Sequence, residues 1–216
     1  MNKKILTIIK IITLYVNYFL FRKENYVKFV IIARSRTGSN LLISLLNSNR
    51  KIRAFGEEFI RLGKNNCNTI YNEIFPKKSN KIIGFKIFYY HPIDSDDTSI
   101  WNMLMNDSNI KIIHLRRENL LRAHISHLIA AKSDKWISLE DNNIGLDCKK
   151  VQIDMDELFK DFETTNGYIS IIKDVFQNHK MIEISYDDLV NEKEKTMENI
   201  FKFLNAPLIS RSLKTS

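Results

Sequence analysis

The sequence predicts a three-layer α/β fold, a central parallel sheet flanked by helices. Two observations carry that expectation. Short, wholly apolar runs recur along the chain, and blocks of helical periodicity separate them. Strand and helix in alternation imply parallel strands joined by helical crossovers. The first run is "YVKFVIIA" (26–33), apolar on both alternating faces, as in a strand covered above and below. "SNLLISLLNS" follows with helical spacing and predicts an N-cap at Ser39 or Asn40. Further strands are expected at 81–90, 110–115 and 180–185, and further helices at 68–75, 97–106, 118–132 and 155–177. "YDDLVNEKEKTMENIFKFLNAP" (186–207) predicts a last helix, opened by acidic residues that suit the helix dipole and stopped at Pro207. The stretch 133–150 is the least periodic and is expected to be a mobile loop over a site.

At 216 residues the chain suits one domain with a substantial core. A net charge of +8 favours anionic partners: a phosphorylated cofactor, an acidic polysaccharide, nucleic acid or a membrane surface. Cys67 and Cys148 lack metal-ligand spacing and suggest no disulfide framework, which fits a reduced, cytoplasmic compartment. Residues 1–25 stand apart from the domain at 26–216. Ile5–Phe21 is apolar, but Thr7, Lys10, Thr13 and Asn17 make one polar helical stripe, bracketed by Lys3, Lys4, Arg22 and Lys23. That pattern predicts a helix lying on the anionic inner face of a membrane; a signal anchor and a core-packed helix are the alternatives.

The first strand ends in Arg34-Ser35-Arg36-Thr37-Gly38-Ser39, immediately before a helix. In a parallel sheet, ligands bind beyond the carboxyl ends of the strands. Backbone N–H groups from Arg36 through Asn40, the positive end of the helix, the hydroxyls of Thr37 and Ser39, and a guanidinium fork together describe an anion cradle. Gly38 lets the backbone approach the ligand. The arrangement is P-loop-like, yet the Gly-Lys-Ser/Thr ending of nucleotide triphosphatases is absent. A nucleotide kinase or triphosphatase is therefore disfavoured.

"RSRTGSNLL" after a strand resembles the 5′-phosphosulfate loop of sulfotransferases that use 3′-phosphoadenosine 5′-phosphosulfate, most of all their bacterial carbohydrate branch. "IIHLRRENLLRAHISHL" is similar to the family's second anion element, and "ISYDDLVNEKEKTMENIFKFLNAP" to its late Tyr-acid-Asp-Leu segment. The resemblance implies a fold and a reaction: transfer of a sulfuryl group to a carbohydrate or glycolipid hydroxyl, with no metal. It assigns cofactor binding to Arg34, Ser35, Arg36, Thr37, Gly38, Ser39 and Asn40, and the 3′-phosphate to Arg117 and Ser126, with Arg116 the alternative to Arg117. Arg34 and Arg36 are then the cations for the leaving oxygen, and Lys86 lies near the transferring group. In the carbohydrate branch a glutamate followed by an aromatic is the proposed base; Glu58-Phe59 matches it, with Glu57 the alternative. Relatives continue into another helix where "APLISRSLKTS" stops, so an acceptor side lacking part of its cover is expected.

His91 is a candidate for lining the acceptor site. His124 and His127 have zinc-compatible spacing but no partnering carboxylate or cysteine cluster in the sequence, so no metal is expected. Trp101, Trp136 and the tyrosines are candidates for stacking on sugars. The opposing, non-enzymatic reading is a basic membrane-peripheral protein that binds anionic glycans or nucleic acid. The paired loops and the lack of a dense basic–aromatic strip argue against it, and nucleic acid is not an expected partner.

Overall fold

The computed structural model describes residues 26–76, 79, 81–133 and 151–208. The expectations for the N-terminal helix, for most of the loop at 133–150 (with Trp136 and Cys148), and for the last residues of the chain lie outside these.

Five parallel strands form one sheet in the order β2-β3-β1-β4-β5. They are β1 (Lys28–Ala33), β2 (Ile52–Phe55), β3 (Ile82–Phe88), β4 (Lys111–Arg116) and β5 (Met181–Ser185). The helices are α1 (Ser39–Asn47), α2 (Cys67–Ile74), α3 (Ser99–Asn106), α4 (Leu120–Ser133), α5 (Met155–Val175), α6 (Tyr186–Asn191) and α7 (Lys193–Leu204).

β1 is buried along its whole length. Phe29, Ile31 and Ala33 join a core with Leu42, Leu45 and Leu46 of α1, Leu189 of α6 and Met197, Ile200 and Phe201 of α7. Val30 and Ile32 join the opposite core, with Ile70 and Ile74 of α2, Ile100 and Leu104 of α3 and Ile172 of α5. The sheet is thus a middle layer with helices on both faces, and the continuous apolar strand pattern follows from that.

β1 lies between β3 and β4, so the chain leaves it toward opposite sides at different stages. Loops after β1 and β4 therefore meet at the point where the strand order reverses, the usual ligand crevice of such sheets.

Two expectations need correction. The N-cap of α1 is Gly38, not Ser39 or Asn40, because its left-handed backbone (φ 78°) turns the chain into the helix without a side-chain cap. The expected single helix at 186–207 is two, α6 and α7, broken at Glu192. The Ser185 hydroxyl caps α6 by accepting from the Asp188 N–H at 2.9 Å, and Asn205 ends α7 in a left-handed conformation. β2 was not anticipated: its four residues alternate buried Ile52 and Ala54 with exposed Arg53, too short a pattern to read.

Gly84 sits opposite Phe29 in the β1–β3 register. A Cβ there would lie 2.4 Å from the Phe29 carbonyl oxygen, and backbone inside a central sheet has little room to yield. Gly84→Ala is expected to destabilise the fold by about 1–3 kcal/mol, as overpacking does. A urea-melt midpoint unchanged from wild type would contradict it.

Candidate functional site

The loop after β1 is closed on itself. The Thr37 hydroxyl donates to the Arg34 carbonyl at 2.9 Å and is 1% exposed, so it builds the loop rather than offering the donor expected of it. Arg36 has a positive φ of 66° and Gly38 one of 78°. Left-handed backbone at a non-glycine residue costs on the order of 1–3 kcal/mol and tends to collect at ligand-binding loops. Gly38 is required for a second reason: a Cβ would meet the Tyr186 ring at 2.5 Å.

The segment that resembles a second anion element comes to the same place. Arg117, just past β4, donates from Nη1 to the Arg36 carbonyl at 3.0 Å, and its guanidinium lies 4.5 Å over the Tyr186 ring. Ser126 of α4 accepts from Arg36 Nε at 2.9 Å. Burial, and then the neighbouring charge of Arg117, hold the Arg36 guanidinium below its ordinary range. Two cations held this close favour an anion between them. Arg116 faces elsewhere, paired with Glu183 of β5 at 2.9 Å. The strand end thus separates the two arginines that the sequence left open.

Arg34 also departs from expectation. It is 8% exposed, and its Nη1 donates to Asp161 at 3.0 Å and to Thr165 at 2.9 Å, both on α5. The geometry therefore separates Arg34 from Arg36, although the sequence grouped them as the cations for the leaving oxygen. Ser35 sits beside the Tyr90 hydroxyl.

On the other side of the loop, β2 and β3 set a carboxylate against a cation. Phe55 pairs with Phe85, and the next residue of β3, Lys86, donates its N–H to the Gly56 carbonyl at 3.2 Å. Glu57 Oε1 then lies 2.7 Å from Lys86 Nζ. The ammonium, 2% exposed, also reaches Ser39 Oγ at 3.4 Å and Asn40 Oδ1 at the start of α1. Lys86 thus sits buried on a strand with neighbours on both sides. Glu58, in contrast, is exposed, while Phe59 next to it is fully buried against Phe85.

No family model matches the sequence. The chain is similar to Nodulation protein H of Rhizobium tropici, with 26% identity over 198 residues, covering 83% of this chain and 76% of that protein. Among solved structures it matches mouse sulfotransferase SULT7A1 complexed with PAP at a TM-score of 0.50 and 10% identity. That match covers 87% of this chain but only 63% of the mouse protein, so the chain spans less than two thirds of that relative's length. The sulfotransferase domain from the curacin biosynthetic pathway matches at a TM-score of 0.50 and 14% identity, covering 87% of this chain and 77% of that one.

This is the sulfotransferase fold. The resemblance first carried by "RSRTGSNLL" and "RRENLLRAHIS" is borne out over most of the chain.

The histidines of this sulfotransferase-like domain are spread through it. Among the described residues no group of His, Cys, Asp or Glu is arranged to hold a metal ion. His124 Nδ1 meets Asp161 at 3.0 Å, a contact between α4 and α5. His91 is 2% exposed; its Nδ1 accepts the Phe88 N–H at 3.3 Å, and Glu57 and Lys86 are among its charged neighbours. Trp101 donates to the His91 carbonyl at 3.0 Å, which assigns that indole to support of the loop. His114, fully buried on β4, meets the Tyr89 hydroxyl at 2.8 Å. Nothing in the sequence singles out Asp161, Thr165 or Glu183, which look like ordinary helix and strand polar residues until the elements are packed.

These buried imidazoles make stability depend on pH. Burial pushes His91 down to about 4, and burial likewise lowers His114. In the unfolded chain both take a proton near pH 6.5, so the stability from their neutral burial is complete above that value. It is lost as pH falls from about 6.5 toward about 4, because the unfolded state binds protons first. The loss from His91 alone is on the order of 2–3 kcal/mol over that window. Urea midpoints at about pH 7.5 and pH 5 should differ accordingly, and less so in His91→Asn. Midpoints that coincide would contradict the assignment.

Proposed function

We propose that the chain is a sulfotransferase that moves a sulfuryl group from 3′-phosphoadenosine 5′-phosphosulfate to a hydroxyl of a carbohydrate or glycolipid. The convergence of Arg36, Arg117 and Ser126 at one end of the loop carries this reading. The carbohydrate class of acceptor rests on the resemblance of "RSRTGSNLL" to the bacterial carbohydrate branch, and similarity to Nodulation protein H over most of its length is consistent with it. The residues fit such a cofactor: one anion binds the loop and the N-terminus of α1, and a second binds Arg117 and Ser126.

When bound, the cofactor supplies an activated sulfuryl group; the protein's residues position and neutralise. The loop amides and Ser39 hold sulfuryl oxygens, and Arg36 and Lys86 offset charge on the leaving oxygen. Glu57, rather than the expected Glu58, is the proposed base, because it lies against Lys86 while Glu58 faces solvent. Arg34 supports the loop through α5.

Thermal stabilisation separates this from a kinase-like reading. Adenosine 3′,5′-bisphosphate should raise the melting temperature well above ATP with magnesium, since only a ligand of the native state stabilises it. Equal or reversed shifts would sink the proposal. Transfer of radiolabelled sulfate to a panel of cell-envelope glycans then identifies the acceptor.

Placement on the cytoplasmic face of a membrane is part of the proposal and rests on residues 5–21. Among the described residues no helix is long and apolar enough to cross a membrane. An interfacial helix is attracted by about 1 kcal/mol per flanking cation and should release in high salt or carbonate. Retention until detergent is added would favour an anchor instead.

A further inference from the structure

We infer that Asp161 is a positioning residue that sets the spacing between the two halves of the nucleotide site; this rests on the function proposed above. Asp161 is on α5, outside the loop and the helix α4 that carry the two halves. Its Oδ2 accepts from Arg34 Nη1 at 3.0 Å and from His124 Nδ1 at 3.0 Å, so one carboxylate oxygen joins the phosphate loop to α4. One helical turn along α5, Thr165 Oγ1 accepts from the same Arg34 nitrogen at 2.9 Å.

Both joined groups are close-coupled to the site. The Arg34 carbonyl is where Thr37 closes the loop. His124 precedes by two residues Ser126, whose hydroxyl takes Arg36 Nε. The contacts form a closed circuit: Arg34 to Asp161, Asp161 to His124, along α4 to Ser126, then to Arg36 and back to the loop. Arg34 is 8% and His124 7% exposed, while the Asp161 side chain keeps 26% of its surface, so the carboxylate is partly shielded and its two partners are buried. Burial, and then the charge of Arg34, lower the pKa of His127, the residue after Ser126.

A ligand with two anionic groups gains from binding both only if their receptors are held at the matching distance. Asp161 is placed to fix that distance without touching either phosphate. Its removal should therefore affect a two-phosphate nucleotide and spare a one-phosphate one.

The test is calorimetry on the full chain with adenosine 3′,5′-bisphosphate and with adenosine 5′-monophosphate. Asp161→Asn keeps the shape and removes the charge; it should reduce the preference for the bisphosphate by about tenfold, with monophosphate affinity changed by less than about threefold. His124→Gln, which removes only the α4 arm, should shift the ratio the same way by less, and it decides the matter if Asp161→Asn does not fold. A preference unchanged from wild type, or both affinities falling in parallel with the melting temperature, overturns the inference and leaves a merely structural tie. A wild-type protein that does not distinguish the two nucleotides overturns the nucleotide reading itself, and this inference with it.

Discussion

Glu57→Gln is expected to lower turnover by about 10²–10⁴-fold while leaving affinity for adenosine 3′,5′-bisphosphate nearly unchanged, the range for losing a general base. The expectation follows from strand pairing. Because Phe55 of β2 pairs with Phe85 of β3, the residue two beyond Phe55 arrives beside Lys86. That residue is Glu57, 2.7 Å from the ammonium, which itself reaches Ser39 at the head of α1. A carboxylate there lies next to the proposed sulfuryl position, where an acceptor hydroxyl must lose its proton. Glutamine preserves the shape and a hydrogen bond to Lys86 but cannot take the proton. Glu58→Gln is the control; being exposed, it should change turnover by no more than a few-fold. A larger loss in Glu58→Gln would return the base to the register read from the sequence. If neither variant is impaired, the base is another group.

Arg117→Ala is expected to weaken adenosine 3′,5′-bisphosphate binding by about 1.5–3 kcal/mol, the scale of a hydrogen bond to a charged group. Arg117 donates to the loop at the Arg36 carbonyl and stacks on Tyr186, so its fork is held before any ligand arrives. Preorganisation of this kind lowers the ordering cost of binding. Arg116→Ala should leave nucleotide affinity within a factor of a few, because its guanidinium is engaged with Glu183 on the neighbouring strand. Titration calorimetry on both variants distinguishes them, and unchanged affinity in Arg117→Ala would remove it from the proposed 3′-phosphate site.

The sequence by itself determined the layers and the order of the main elements. Short, β-branched apolar runs such as "FVIIA" suit strands covered on both faces, and the apolar positions of α1 and α3 repeat at helical spacing. It also located the loop at 34–39, because two arginines and a glycine between a buried strand and a helix are a local signal. Both follow from near-neighbour chemistry, in which burial and backbone conformation are written within a dozen residues. What only the tertiary structure decided depends on strands far apart in the chain. β2 is a four-residue edge strand with too little pattern to read, yet its register against β3 is what brings Glu57, not Glu58, to Lys86. The direction in which β4 ends turns Arg117 toward the loop and Arg116 toward Glu183. Arg34 follows the same rule. It lies in the loop by sequence, but its guanidinium finds Asp161, 127 positions later, because a buried charge must be paired and the packing of α5 supplies the partner.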